Sequence, residues 1–183
     1  MLTKILKLNY SFRLDSPLPC EFPCFKNPLT REPYICAAAI NGEIYSFLNQ
    51  KYSEGAQDGN EAIQRLFAPC MTDSSGIESE DLKHLVFLDA VFAEAPANTV
   101  RKNDFTEFQL DLSGDGKFTD AVPAGTVFQG AIDLMIFDGD DEEEMKKYLL
   151  DGLTLYVQNP VDILNGHGHI SFVQEPVFQE IPF

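Results

Sequence analysis

The chain predicts an α+β fold, a ferredoxin-like (RRM-like) antiparallel sheet with helices on one face and a loop-rich subdomain. Three observations predict it. Alternating, strand-forming segments open the chain and recur through its second half. Two helical patterns are interleaved with them. The resulting order, strand, long loop, helix, strands, helix, strand, suits a split βαβ arrangement. The length of 183 residues fits one domain over 1–183, with loop insertions near 15–34 and 53–80.

Residues 2–14, LTKILKLNYSFRL, alternate apolar and polar side chains and predict a half-buried first strand. Residues 15–34 hold prolines 17, 19, 23, 28 and 33 and predict an extended loop, since proline fixes φ and donates no amide. Residues 35–52 carry apolar groups at helical spacing and an alanine run, which predicts an amphipathic helix around Gly42. A polar loop over 53–60 and one or two helical turns over 61–67 follow, then a second loop over 68–80. Strands are predicted at 82–92, 104–112 and 127–137, with a turn at 113–117. The acids of 138–144 suit a helix N-terminus, and that helix is predicted to end near Gly152. Residues 153–157 and 170–173 read as the last strands, and Pro176 and Pro182 as an extended tail.

Composition narrows the function classes. A hydrophobic share of 44% and 15 phenylalanines exclude a disordered chain. No apolar run reaches the ~18 residues of a membrane span, and the first residues lack a signal-peptide pattern, so a cytoplasmic protein with no membrane partner is expected. The net charge is −16, and it is uneven. Residues 1–70 carry 7 basic and 7 acidic side chains; residues 71–183 carry the other 6 basic and 22 acidic ones. Phosphate is repelled at long range by such a chain, so nucleic acid must meet the neutral N-terminal part or a field supplied by neighbouring subunits.

Candidate chemistry is sparse. Cys20 and Cys24 have a spacing zinc can use, with Cys36, Cys70 or His84 to complete a site, but no second close pair exists. Reduced thiols are the default in a cytoplasm. Asp111 to Gly116 opens like a calcium loop, yet Val122 holds the place of its bidentate acid, so a polar turn is expected. His167 and His169 point one way in an extended segment, and two ligands make no metal site. No nucleophile elbow, Walker loop or dinucleotide fingerprint occurs. Neither a metal nor a cofactor is expected.

Several segments, in order, carry a family resemblance. Lys26-Asn-Pro-Leu-Thr-Arg31-Glu-Pro-Tyr34-Ile-Cys36-Ala-Ala-Ala-Ile40-Asn41-Gly42 parallels D-N-P-V-x-R-D-P followed by P-Y-I-P-G-S-S-L-K-G and a helix. Leu66-Phe67-Ala68 parallels Leu-Phe-Gly, and Val86 to Ala90 a strand ending in Asp-Ala. Val122-Pro-Ala-Gly125-Thr-Val-Phe128 parallels V-P-x-G-t-x-F. An acidic helix start, Gly152-Leu153 and the turn Asn165 to His169 follow. The chain thus resembles the RAMP superfamily of CRISPR effector subunits, above all type III backbone subunits, in a diverged and shortened form.

The resemblance implies a non-catalytic subunit of a type III CRISPR ribonucleoprotein, packed against other effector subunits and touching guide or target RNA. It is non-catalytic because Lys26 stands nearest the place of the family's RNA-cutting Asp. The implied RNA-binding set is Lys26, Arg31, Cys36, Ala37, Asn41, Gly42, Gly166, His167, Gly168 and His169. The family's hydroxyl and ammonium donors at the helix start are replaced by alanines and Asn41, so backbone amides would do the work. Arg31 is the best cation there, with a salt bridge to Glu32 or Glu43 as its alternative. The other reading is an acidic RAMP-derived protein that binds effector proteins without RNA, as an inhibitor or accessory.

Overall fold

The computed structural model describes residues 1–21, 23–53, 57–67, 84–99, 106–111, 113–159 and 169–182. Its strands are β1 (Leu2–Leu14), β2 (Leu18–Pro19), β3 (Cys24–Lys26), β4 (Pro33–Ile35), β5 (Leu85–Phe87), β6 (Ala90–Glu94), β7 (Gln109–Asp111), β8 (Phe118–Val122), β9 (Val127–Phe137) and β10 (Ile170–Ile181). Its helices are α1 (Ala37–Ser53), α2 (Gln57–Phe67) and α3 (Glu142–Gln158).

Among the described residues the main sheet runs β10-β1-β9-β6-β4-β3, with β5 also paired to β9. Every pair in it is antiparallel. Taking β1, β6, β9 and β10 as the four long-range strands, the spatial order is fourth, first, third, second. That is the ferredoxin-like order the strand and helix pattern predicts. A second, smaller sheet, β2-β8-β7, stands beside it.

The core lies between the main sheet and the helices. Leu6, Leu8, Tyr10, Phe12 and Leu14 alternate inward from β1, as period-two burial requires. Ile40, Ile44 and Leu48 recur every four residues on α1, and Met145, Leu149, Leu153 and Tyr156 do much the same on α3. Phe12 stacks on Phe128 at 5.6 Å and meets Tyr156 edge-on at 6.4 Å. Asp141 caps α3 by accepting the Glu144 amide at 3.0 Å, and three glutamates fill the first turn.

Several boundaries differ from the sequence expectation. Residues 153–157 are not a strand, because α3 continues through Gly152 to Gln158. Gly152 marks a close helix crossing and not a stop: a Cβ there would lie 2.6 Å from Ile44 Cγ2. The expected tail after residue 173 is instead the second half of β10, an edge strand paired only with β1. Its register jumps between Asn9↔Val177 and Ser11↔Gln174, so the irregularity absorbs Pro176, which lacks an amide to donate. The 15–34 loop contains the short strands β2, β3 and β4. The 82–92 segment divides into β5 and β6 at Leu88 and Asp89, with residues 82 and 83 outside the described set. Within 104–112 only Gln109–Asp111 is a strand, and residues 104, 105 and 112 are outside it. The helix expected over 61–67 reaches back to Gln57, and the whole loop expected over 68–80 lies outside the described residues.

Candidate nucleic-acid interface

The segment singled out by sequence, residues 26–42, forms the β3–β4 hairpin at one edge of the main sheet and the start of α1. The hairpin loop is built by Asn27. Its Oδ1 accepts the Leu29 and Thr30 amides at 2.9 and 3.2 Å, and its carbonyl accepts the Arg31 amide at 2.8 Å. Arg31 closes this loop with φ of +62°, a left-handed conformation that costs a non-glycine residue about 1 kcal/mol. The strained backbone directs its guanidinium to Asp120, at 2.9 Å.

Asp120 is the centre of the site. It lies on β8, a strand the sequence reading left unassigned. Its other oxygen accepts the Lys26 ammonium at 2.7 Å. Lys26 also donates to the Thr106 carbonyl at 2.8 Å and is only 3% exposed. Arg31 is half exposed. One carboxylate therefore serves two cations, and the cluster keeps one net positive charge. The expected alternative partners of Arg31, Glu32 and Glu43, are not the ones it meets; the acid 89 residues away in sequence is.

At the helix start, the amides expected to be free are already engaged. Cys36 donates its amide to the Pro23 carbonyl at 3.1 Å and accepts the Ala39 amide at 3.1 Å, so it begins the helical turn. The Ala37 amide donates to Asp89 Oδ1 at 2.7 Å. A carboxylate from the β5–β6 junction thus neutralises the positive end of α1. A cavity of about 340 Å³ lies alongside, lined by Asn27, Thr30, Tyr34, Asp89 and Phe92 among others. Further along α1, a Cβ on Gly42 would meet nothing within 4 Å, and Asn41 Oδ1 is buried with no partner among the described residues.

Of the second half of the predicted set, only His169 is among the described residues. Gly166, His167 and Gly168 lie outside the described residues. His169 is described and exposed. Its amide donates to Ser16 Oγ at 2.8 Å, and its carbonyl accepts the Asp15 amide. These contacts put it at the β10–β1 side of the sheet, with β9 and β6 between it and β4.

The other candidates resolve into local chemistry. Asp111 accepts the Gly114 and Gly116 amides at 2.8 and 2.9 Å, the closed polar turn expected in place of a calcium loop. His84, a possible further zinc ligand, instead meets Asp140 at 3.2 Å, and Arg65 holds the same carboxylate at 3.1 Å. Cys20 and Cys24 are free thiols, the first half-buried and the second buried. Asp120, Asp89 and Thr106 were not singled out by sequence as site residues. The one available signal was the Asp-Ala that ends the Val86 to Ala90 match, which marks Asp89.

No protein-family model matches the chain, and no curated protein matches it. Solved structures do. A chain of the Csm3–Csm4 subcomplex of a type III-A CRISPR–Cas interference complex superposes with a TM-score of 0.64 at 19% identity, over 99% of this chain and 89% of that one. A type III-B Cmr-beta chain, from a structure bound to cognate target RNA, gives 0.57 at 14% identity, over 97% of this chain and 61% of that one. Csm3 of Methanopyrus kandleri gives 0.56 at 13% identity, over 98% and 75%. The chain has the fold of these RAMP-type proteins, at low identity. No helix among the described residues is long and apolar enough to cross a membrane.

Proposed function

We propose that the protein is a non-catalytic, RAMP-type subunit of a type III CRISPR effector ribonucleoprotein. The observation that carries this reading is the extent of the fold: it takes up 99% of this chain and 89% of a subunit from a type III-A complex. Its partners are other effector subunits, with guide or target RNA reached inside the assembly. Lys26, nearest the place of the family's cutting acid, supports the non-catalytic role. An ammonium bound to Asp120 supplies neither a metal ligand nor a base.

Within this reading Arg31 is the side chain that meets phosphate. It is half exposed, and Lys26 alone satisfies Asp120, so the guanidinium turns outward without leaving a buried charge unpaired. The Ala37 amide is a poorer donor than the sequence suggests, because phosphate must displace Asp89.

A specific observation favours the RNA-independent reading as the second one. Asp120 and Asp89 occupy a cation pair and a helix terminus that phosphate would otherwise take. Fluorescence anisotropy with labelled RNA separates the two. The isolated protein should bind no tighter than the ~10⁻⁴–10⁻⁶ M of non-specific contacts at physiological salt. In the assembled complex, Arg31→Ala should lower RNA retention under the subunit reading and leave it unchanged under the second. Nanomolar binding by the isolated chain contradicts the charge argument that both share.

A further inference from the structure

Two rows of side chains cross β3, β4 and β6. Cys24, Ile35 and Ala90 stand opposite one another in the ladder and are fully buried on the core side. The next row must turn to the other face, since successive strand side chains alternate. It consists of Phe25, Tyr34 and Val91. The Phe25 and Tyr34 rings meet at 5.8 Å, Phe25 is 38% exposed and Val91 is 53% exposed. The sheet edge thus shows solvent an apolar strip on the face away from the core.

The 340 Å³ cavity lies at the Tyr34–Val91 end of this strip. Its wall combines two kinds of group. Tyr34, Val91 and Phe92 give it ring and methyl surface. Glu32 and Asp89 give it charge, and none of its lining residues is basic. Asp89 is exposed and is held from one side: its Oδ1 accepts the Ala37 amide at 2.7 Å, and no hydrogen bond to its Oδ2 is made among the described residues. One carboxylate oxygen is left for a further donor. Arg31 of the same hairpin is held on Asp120 and does not line the cavity. Such a wall repels phosphate and attracts a cation. A guanidinium suits it best, because it is planar, stacks on rings and donates through a fork to a carboxylate.

We propose that this cavity takes an arginine side chain from a segment of a partner protein, whose flanking residues cover the apolar strip. Charge complementarity selects that occupant: the chain carries −16, and both charged residues of the wall are acidic. The strip selects a protein segment over a free cation, since a lone arginine leaves Phe25 uncovered. The aliphatic stem of the arginine lies on Val91.

The site is independent of the RNA contact proposed for Arg31, and the full chain tests it alone. The probe is a capped tripeptide, acetyl-Leu-Arg-Val-amide, titrated at physiological salt and followed by two-dimensional NMR. Saturable shifts should gather on the amides of Tyr34, Ala37, Val91 and Phe92. The citrulline peptide, equal in shape but uncharged, should bind about tenfold more weakly through loss of the charge-assisted contact. Glu32→Gln and Asp89→Asn should each weaken the arginine peptide. Asparagine keeps an oxygen for the Ala37 amide, so the start of α1 persists, and Glu32→Gln does not touch that cap. Glu143→Gln, in the first turn of α3, should leave binding unchanged. Equal binding of the two peptides, shifts spread over the acidic surface, or an oligouridine that moves these amides where the arginine peptide does not, would overturn the site.

Discussion

Asp120 accepts hydrogen bonds from Lys26 and Arg31, and the two cations differ in what they lose without it. Lys26 is buried and would keep only the Thr106 carbonyl, whereas Arg31 is half in solvent. Asp120→Ala should therefore destabilise the fold by about 2–3 kcal/mol through the stranded ammonium. Arg31→Ala should cost less than about 1 kcal/mol, as surface pairs do. Urea denaturation of both variants checks the ordering. Tyr10 makes a second contrast. Its hydroxyl is buried without a partner among the described residues, and its ring lies over Gly130, its cross-strand neighbour. Tyr10→Phe should be neutral or stabilising by about 1 kcal/mol, because it removes an unsatisfied group. Gly130→Ala drives a Cβ into that ring, which also stacks on Phe12, and should destabilise by about 3 kcal/mol. Thermal melts with the opposite ordering would mean the ring is not where it is described. At this scale the sequence was a partial guide. Arg31 and Lys26 were legible as cations in a neutral stretch. Their partner was not, because Asp120 is remote in sequence and nearer acids looked equally eligible.

Two glycines show how α1 and α3 are put together. Gly42 on α1 has open space around it, so Gly42→Ala should stabilise by about 0.5–1 kcal/mol through helix propensity alone. A Cβ on Gly152 of α3 would lie 2.6 Å from Ile44 Cγ2 and 2.9 Å from Leu48 Cδ1, and both side chains are fully buried. Gly152→Ala should therefore destabilise by about 1–2 kcal/mol despite the same propensity gain. A denaturation midpoint that rises for both variants would contradict the close crossing. The start of α3 carries a pH dependence. Hydrogen bonds from Lys146 and then Lys4 hold the Glu142 carboxyl below its ordinary range. Stability from a depressed carboxyl is present above its unfolded value of about 4.3 and is lost as pH falls through the folded value. Glu142→Gln should thus lower the melting temperature at pH 7 and lose that effect at pH 3; an equal drop at both would show that the charge is immaterial. Helix starts and long strands were legible because capping acids and strict periodicity are local. The end of α3 was not, since the glycine that reads as a stop is required by a helix distant in sequence. Likewise β8 carries too short an apolar pattern to stand out, and it exists because β2 and β7 pair with it.

Over the whole molecule, the spatial order of β1, β6, β9 and β10 and the likeness to type III subunits agree with the order read from sequence. The surroundings of the candidate site were less legible, because surface electrostatics depend on which remote acids fold against which cations. The charge of −16 sits entirely in residues 71–183, yet two of those acids, Asp89 and Asp120, reach back onto the neutral segment. In the proposed role a chain of this charge needs partners to bring RNA near it, so that role rests on assembly. The direct measurement is native mass spectrometry of the purified protein mixed with the subunits of a type III effector complex, before and after nuclease treatment. The proposed role predicts stoichiometric incorporation into an assembly with RAMP-type subunits. Failure to enter any such assembly, with or without RNA, would contradict it.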